Sequence, residues 1–160
     1  MKKKTLAIII SAAAMILLSA AAYMVDFIIA RGYRFEVIAA SAEEIVADGT
    51  SSVKIRVKLS RGGAPVEEHT VYVVASNGSL PSSRLVTDEN GYITFVYYPY
   101  LYVNEKVSPL EDVTFKFQDE SNSKIFMIPA TGEYTMKAVK PDEAGLTEDW
   151  QGLEIRSGEE

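Results

Sequence analysis

The chain contains two regions that differ in their pattern of hydrophobic and polar residues. Residues 5–25 form an uncharged run of 21 residues directly behind the three lysines Lys2–Lys4. Such a run is long enough to cross the hydrocarbon core of a bilayer as a helix, which needs about 20 apolar residues. After residue 35 the hydrophobic period falls to two, which is typical of β-strands with one buried face. The sequence therefore predicts one N-terminal membrane helix followed by an all-β domain.

About seven segments of this second region are typical of strands. The clearest is Ser52–Leu59, in which every second residue is apolar and should face a core. Turn residues separate the segments, and the Asn-Gly pair at 90–91 readily supplies the positive φ angles of a hairpin. This spacing, without a convincing amphipathic helix, predicts an antiparallel β-sandwich. The segments are 52–59, 69–75, 84–87, 92–98, 113–117, 124–128 and 133–139.

Two interpretations of residues 1–34 remain open. The lysines, the apolar stretch and the small residues Ala20–Ala22 fit a secretory signal peptide, and cleavage near Ala22 would release the protein. The apolar run nevertheless continues past these alanines and resumes after Asp26. Cleavage would leave an apolar N-terminus on a soluble protein, which favours an uncleaved anchor. On that interpretation Lys2–Lys4 stay in the cytoplasm, the C-terminal domain is extracytoplasmic and Asp26 lies near the outer headgroups.

Composition and charge narrow the classes of function. The chain has no cysteine, which excludes disulfides, thiol catalysis and cysteine zinc sites. Residues 1–140 carry 15 basic and 15 acidic side chains, so the domain lacks the basic excess that nucleic-acid binding requires. The last twenty residues carry seven acids against Arg156 alone and should form an acidic tail. The predicted organisation is a signal-anchor at 1–34, a β-sandwich at 35–140 and the tail at 141–160.

Four motifs give the β region a resemblance to a known family. The motifs are Val46–Thr50, Gly63–Val66, Thr87–Thr94 and Gly132–Ala138. In this order they resemble the bacterial Ig-like domains of group 1, the invasin and intimin type, over residues 36–140. The resemblance implies an Ig-like β-sandwich that serves as a non-enzymatic spacer or adhesive module on a bacterial surface. The sequence departs from the family at Tyr98–Asp112, where the loop is longer than the usual short link.

Few residues suggest catalysis. The single histidine, His69, begins a predicted strand without a visible partner, so we interpret it as an ordinary surface residue. The carboxylate pairs Glu43-Glu44 and Glu67-Glu68 are adjacent in sequence and would point to opposite faces of a strand. A glycine-rich phosphate loop followed by lysine is also missing. We therefore expect neither an enzyme nor a cofactor.

Acidic residues in turns raise the question of a calcium site. Oxygen-rich loops can hold calcium, but Asp and Asn are favoured in turns for backbone reasons alone, and EF-hand spacing is missing. We therefore predict no metal site. The residues considered are Asp48, Asp88, Asn90 and Asp119.

The richest local feature is a tyrosine cluster at 92–102, where five of the nine tyrosines lie. Cross-strand packing explains part of it. Tyrosine is also favoured at protein interfaces, so Tyr98, Tyr100 and Tyr102 are candidates for binding a partner. Trp150, the only tryptophan, is a further candidate within the tail.

The predicted function is that of a non-enzymatic, membrane-anchored extracytoplasmic module. It would be a binding or structural subunit of a bacterial cell-surface or envelope assembly, or an adhesion module. Its partners would be the membrane, crossed once, and a protein of the envelope or of another surface. The alternative is a secreted Ig-like protein that binds polysaccharide or a surface protein.

Overall fold

The structure is a computed structural model and describes residues 3–122, 125–126 and 128–141. It begins with one α-helix, α1 (Lys3–Arg31), 29 residues long. The segment contains no proline or glycine and is rich in alanine, leucine and isoleucine, so no residue within it breaks the helix. The chain leaves the helix at Gly32, whose N–H donates to the carbonyl oxygen of Ile29 at 3.0 Å.

The predicted N-terminal helix is thus confirmed as a helix. Every side chain from residue 7 to residue 21 is exposed, and Ala22 is the first to be partly covered by the rest of the protein. By length and composition Ala7–Arg31 could cross a membrane, although a signal sequence near an N-terminus meets the same criterion.

The described residues after the helix form ten strands. These are β1 (Tyr33–Ala40), β2 (Ile45–Val46), β3 (Val53–Arg61), β4 (Ala64–Pro65), β5 (Thr70–Ala75), β6 (Arg84–Val86), β7 (Tyr92–Tyr97), β8 (Val113–Asp119), β9 (Ala130–Met136) and β10 (Ala138–Val139).

Eight of these strands form two four-stranded antiparallel sheets. In the first sheet β3 pairs with β1, with β7 and, at its end, with β4. The second sheet has the order β6-β5-β8-β9, while β2 and β10 form a separate parallel pair. The fold is an Ig-like antiparallel β-sandwich behind one N-terminal helix, which confirms the predicted fold class.

The inward-facing rows of the two sheets form the core. The Phe95 and Phe115 rings lie 5.6 Å apart across the sandwich, as do those of Phe35 and Phe117. Burying an aliphatic or aromatic side chain fully contributes about 1.5–3 kcal/mol. The alternation predicted for 52–59, for 92–98 and for 113–117 is confirmed. The inward rows are Val53, Ile55, Val57 and Leu59 on β3, Ile93, Phe95 and Tyr97 on β7, and Val113, Phe115 and Phe117 on β8.

The register of β3 defines two ends of the sandwich. Tyr33, two residues after the helix, pairs with Arg61, the last residue of β3. Val53, the first residue of β3, pairs with Tyr97. A nine-residue strand is about 30 Å long, so these pairs lie far apart. We call the end at Arg61, next to the helix, the proximal end and the end at Val53 the distal end.

The structure differs clearly from two of the predicted strands, those at 124–128 and 133–139. The strand predicted at 124–128 is wrong for Ile125 and Phe126, which lie in a bend, while Lys124 and Met127 fall outside the described residues. The backbone N–H groups of Ile125 and Phe126 donate to the side chain of Asp26 on the helix rather than to a neighbouring strand. The last long strand also begins at Ala130, three residues before the predicted Glu133.

One hydroxyl in the core lacks a partner. Among the described residues, Tyr97 Oη is the buried side-chain polar atom without a hydrogen bond, although its residue is 0% exposed. Burial raises the pKa of Tyr97 from 10.0 to about 12. Nearby Tyr100 differs, because its hydroxyl donates to the Glu111 carbonyl oxygen at 3.0 Å and accepts the Glu111 N–H at 2.7 Å.

We therefore predict opposite effects for two removals of a hydroxyl. Tyr97→Phe should leave thermal stability unchanged or raise it by about 1 kcal/mol, since an unpaired buried hydroxyl is lost. Tyr100→Phe should cost about 1–2 kcal/mol, since the Glu111 N–H loses its acceptor. Thermal unfolding followed by circular dichroism measures both, and a Tyr97→Phe protein that is the less stable of the two would contradict this account.

The difference in stability between the wild type and Tyr97→Phe should depend on pH. A folded-state pKa above the ordinary value means that the contribution of Tyr97 is complete below about pH 10 and is lost as the pH rises to about 12. The wild type should therefore lose stability over this window relative to Tyr97→Phe. Parallel curves for the two proteins would show that Tyr97 ionises normally.

Candidate functional site

The junction between the helix and the sandwich is a single residue long. Arg31 ends α1 and Tyr33 begins β1, so Gly32 alone connects them. The Gly32 carbonyl oxygen accepts the N–H of Gly62 at 3.3 Å, which ties the junction to the turn after β3. A link this short cannot act as a flexible stalk. The helix therefore joins the sandwich directly, without a stalk between them.

Asp26 joins the helix to the loop between β8 and β9. It is 0% exposed, and its Oδ2 accepts the backbone N–H groups of Ile125 at 2.8 Å and Phe126 at 2.6 Å. A carboxylate is costly to bury unless donors compensate it, and hydrogen bonds to a charged acceptor are among the strong ones. This contact links residues 99 and 100 positions apart in sequence. Asp26 therefore has a structural role that its position in the apolar run does not reveal.

Aromatic contacts surround this carboxylate. The Tyr23 ring lies 6.2 Å from the Phe126 ring in an edge-on geometry and 6.3 Å from the Phe27 ring. The Arg31 guanidinium stands 5.0 Å over Phe27. Such ring and cation contacts add to the area that they bury. One side of the last two helical turns, at Asp26, Ile29 and Ala30, is covered by the sandwich, whereas residues 7–21 are exposed.

The loop that Asp26 binds is organised by a buried amide. Asn122 is 1% exposed, its Nδ2 donates to the Ile128 carbonyl oxygen at 3.0 Å, and its Oδ1 accepts the Ala130 N–H at 2.9 Å. These bonds hold the two sides of the loop together. Ile125 and Phe126, at its tip, are 59% and 45% exposed.

The distal end carries the predicted tyrosines. Tyr100 is only 9% exposed and packs in the core, so the packing interpretation holds for it. Tyr98 is 41% exposed. Tyr102 is partly buried, with its hydroxyl donating to Glu105 Oε1 at 3.2 Å and Lys140 Nζ lying 4.9 Å over its ring. Tyr98 and Tyr102 thus remain the accessible candidates, and Trp150 lies outside the described residues.

Three exposed aliphatic residues accompany these tyrosines on the loop between β7 and β8. We call this group, with Tyr98 and Tyr102, the distal apolar loop. Exposed apolar side chains such as these are candidates for contact with another molecule. The three residues are Leu101 at 55%, Val103 at 51% and Val107 at 71% exposure.

The prediction that His69 is an unpaired surface residue is wrong. Its Nδ1 lies 2.8 Å from Oδ2 of Asp119, which is 0% exposed, and the His69 side chain is only 20% exposed. The other carboxylate oxygen of Asp119 accepts the N–H of Ser121 at 2.9 Å. Sequence reasoning missed the pair because its members are 50 positions apart. One clue was available, since Asp119 continues the inward row of β8 and so requires a buried partner.

The His69–Asp119 pair lies within the packing of the sandwich. The Tyr33 ring covers His69 at 5.6 Å. The Ser121 hydroxyl oxygen accepts the N–H of Thr70 at 2.9 Å. The pair connects the start of β5 with the end of β8 at the proximal end.

The turn carboxylates bind their own backbone. Asp48 Oδ1 accepts the N–H groups of Thr50 and Ser51, both at 2.8 Å. Desolvation acts to raise the pKa of Asp48, but these hydrogen bonds outweigh it and hold the pKa below its usual value. Asp88 Oδ1 likewise accepts two N–H groups at 2.9 Å. Over the residues described here, acidic and histidine side chains form no cluster of three or more that could hold a metal ion.

Comparisons with known proteins give matches among solved structures only. No family model and no curated protein matches the chain. A 282-residue C-terminal fragment of intimin, in complex with the intimin-binding domain of the translocated intimin receptor, is 18% identical with a TM-score of 0.48. That match covers 64% of this chain and 32% of the fragment. The D0-D1 domain of intimin is 18% identical with a TM-score of 0.42, over 65% of this chain and 49% of that one.

A second group of similar structures comes from Bacteroides. A conjugative transposon lipoprotein from Bacteroides eggerthii is 18% identical with a TM-score of 0.40, over 66% of this chain and 96% of that one. This chain thus spans about a third to a half of the intimin chains and nearly all of the lipoprotein. The intimin domains are of the type that the sequence motifs resemble, while the fold assignment itself rests on the strand pairing described above.

We predict that Asp26 controls the exchange of the loop amides. In Asp26→Ala, the N–H groups of Ile125 and Phe126 lose their buried acceptor, and hydrogen exchange in the peptide containing them should accelerate strongly. The measurement uses the full chain in detergent, with Asp88→Ala, a turn carboxylate distant in sequence, as the control. Unchanged exchange at 125–126 would contradict the assigned contact.

We also predict a stability cost for His69→Ala. The buried Asp119 carboxylate then loses one of its partners, which should cost about 1–3 kcal/mol. Lys116→Ala removes an exposed ion pair with Glu133 at 3.5 Å and should cost less than about 1 kcal/mol. Thermal unfolding of the two variants compares them, and equal melting temperatures would show that the histidine contact is not stabilising.

Proposed function

We propose that the protein is a non-enzymatic, membrane-anchored extracytoplasmic Ig-like module. It acts as a binding or structural subunit of a bacterial cell-surface or envelope assembly, or in adhesion. The observation that carries this proposal is the direct fusion of one exposed apolar helix to a sandwich through Gly32. At about 1.5 Å per residue the uncharged run 5–25 is about 30 Å long, which equals the thickness of a hydrocarbon core.

Charge supports the proposed orientation. Lys2–Lys4 precede the uncharged run and would remain in the cytoplasm, while Arg31 ends the helix and Arg34 follows it at the outer interface. The sandwich, which begins with β1 at Tyr33 and is proposed to extend to residue 140, then stands outside the membrane. The acidic tail, residues 141–160, follows it in the sequence.

The geometry of the sandwich supports a binding role. With the helix at the proximal end, the distal apolar loop faces away from the membrane, about a strand length from it. Exposed apolar and tyrosine side chains are the kind that protein interfaces bury. A protein partner is therefore proposed, on the strength of these side chains.

A secreted form is the second candidate. Cleavage after Ala22 would retain Tyr23, Asp26 and Phe27, so the contacts of the helix with the loop at Ile125 and Phe126 would survive. The protein would then bind polysaccharide or a surface protein from solution. N-terminal sequencing of the mature protein separates the candidates: an uncleaved N-terminus supports the anchor, and a start at or near Tyr23 excludes it.

We predict that the distal apolar loop mediates capture of the partner. Tyr98→Ala combined with Leu101→Ser should lower recovery of a stoichiometric complex from detergent extracts by about tenfold or more, the effect of losing about 1.4 kcal/mol of binding energy. Tyr92→Ala, on the outer face of β7, is the matched control. Equal recovery of the complex with both variants would show that the binding surface lies elsewhere on the protein.

A further inference from the structure

The tip of the β8–β9 loop exposes two large apolar side chains beside the helix. Ile125 and Phe126 are 59% and 45% exposed, and Tyr23, the helix residue whose ring contacts Phe126, is 50% exposed. Their backbone is held by Asp26 and their position by the Tyr23 ring. The side chains are therefore presented outward by a fixed backbone rather than left exposed by a loose loop.

The helix register gives the depth of this tip. Tyr23 lies within the uncharged run 5–25, and Asp26 follows immediately after its end. Because Phe126 contacts Tyr23 and Asp26, the tip lies level with the last turn of that run. Arg31 is five residues after Asp26, which is about 8 Å along the helix axis and close to the thickness of one headgroup layer.

The arginines mark the next layer. Arg31 and Arg34, with Gly62 and Gly63, line a depression of about 460 Å³ around the end of the helix. Guanidinium groups at this level match the phosphates of the lipid headgroups. The order along the helix axis is thus an apolar tip first and cationic side chains second, as a bilayer surface requires.

We propose that the β8–β9 loop tip is a second membrane contact, in which Ile125 and Phe126 insert into the outer interfacial layer beside the helix. This inference rests on the proposed anchor. The occupant is the lipid bilayer, because the exposed Phe126 ring contacts Tyr23 on the exposed apolar helix, so the two apolar surfaces adjoin. Asp26 accepts the backbone N–H groups of Ile125 and Phe126, so these two groups are hydrogen-bonded where they would enter this layer. The sandwich is thereby seated on the membrane in one orientation.

The absence of cysteine makes a site-specific test direct. Ile125→Cys, Leu17→Cys and Val107→Cys are made in the full chain, labelled with the environment-sensitive fluorophore NBD and reconstituted into phosphatidylethanolamine–phosphatidylglycerol vesicles. Leu17, 70% exposed, reports on the helix, and Val107, 71% exposed, is a matched apolar position on the distal apolar loop. Lipids carrying nitroxide at a shallow or a deep acyl position quench labels that contact the bilayer.

The expected result is quenching at 125 by the shallow nitroxide, about threefold stronger than at 107, with deep quenching at 17. Adding Asp26→Ala to Ile125→Cys should reduce the quenching at 125, because the loop loses its tie to the helix. Unchanged quenching in that double variant would overturn the role given to Asp26.

Two outcomes separate this inference from the proposed anchor. Quenching at 17 without quenching at 125 overturns the loop contact and leaves the proposed anchor intact. A protein partner would then be the alternative that covers the tip in the native envelope. Absence of quenching at 17 removes the anchor, and the loop contact with it.

Discussion

The structure depends on one constraint, which is that a single residue separates the helix from the sandwich. Because Gly32 is the only residue between them, the first strand starts where the helix ends. The loop between β8 and β9 lies beside the last two helical turns, where it contacts Asp26. Asp26 turns this proximity into a specific contact. A buried carboxylate is tolerated only when donors reach it, so few loop conformations are compatible with the observed helix direction. Gly32 and the Asp26 contact therefore connect the helix to the sandwich at two separate points.

This constraint gives the sandwich a direction. The first sheet is built on β3, which runs from the distal end at Val53 to the proximal end at Arg61. Loops consequently divide into two groups according to the end at which they lie. The proximal group meets whatever surrounds the helix, and the distal group faces the space beyond. Both groups of loops expose apolar side chains. We propose lipid as the partner of Ile125 and Phe126, and a protein as the partner of Tyr98 and Leu101.

The sequence predicted the local structure well and the long-range polar contacts poorly. Period-two segments gave β3, β7 and β8, since burial on one face of a strand leaves a direct pattern. The strand prediction is wrong at Ile125 and Phe126 because these residues are as apolar as those of a strand, and only the position of Asp26, 99 and 100 residues earlier, shows why the backbone bends there. His69 was misread for the same reason, since its partner Asp119 lies 50 positions away. Pairing across such distances follows from the fold and leaves no local periodicity.

Buried polar contacts hold the described part of the β8–β9 loop in this cysteine-free chain; that of Asp26 is long-range, and those of Asp119 and Asn122 are local. Three buried polar side chains control the β8–β9 connection: Asp119 at its start, Asn122 within it and Asp26 against its tip. Each accepts backbone N–H groups that would otherwise be unpaired, so an alternative loop path would lose several bonds together. A buried polar contact contributes little net stability, but it penalises the wrong arrangement heavily. That penalty replaces the restraint a disulfide would give, and it leaves the apolar side chains of the loop free to face outward.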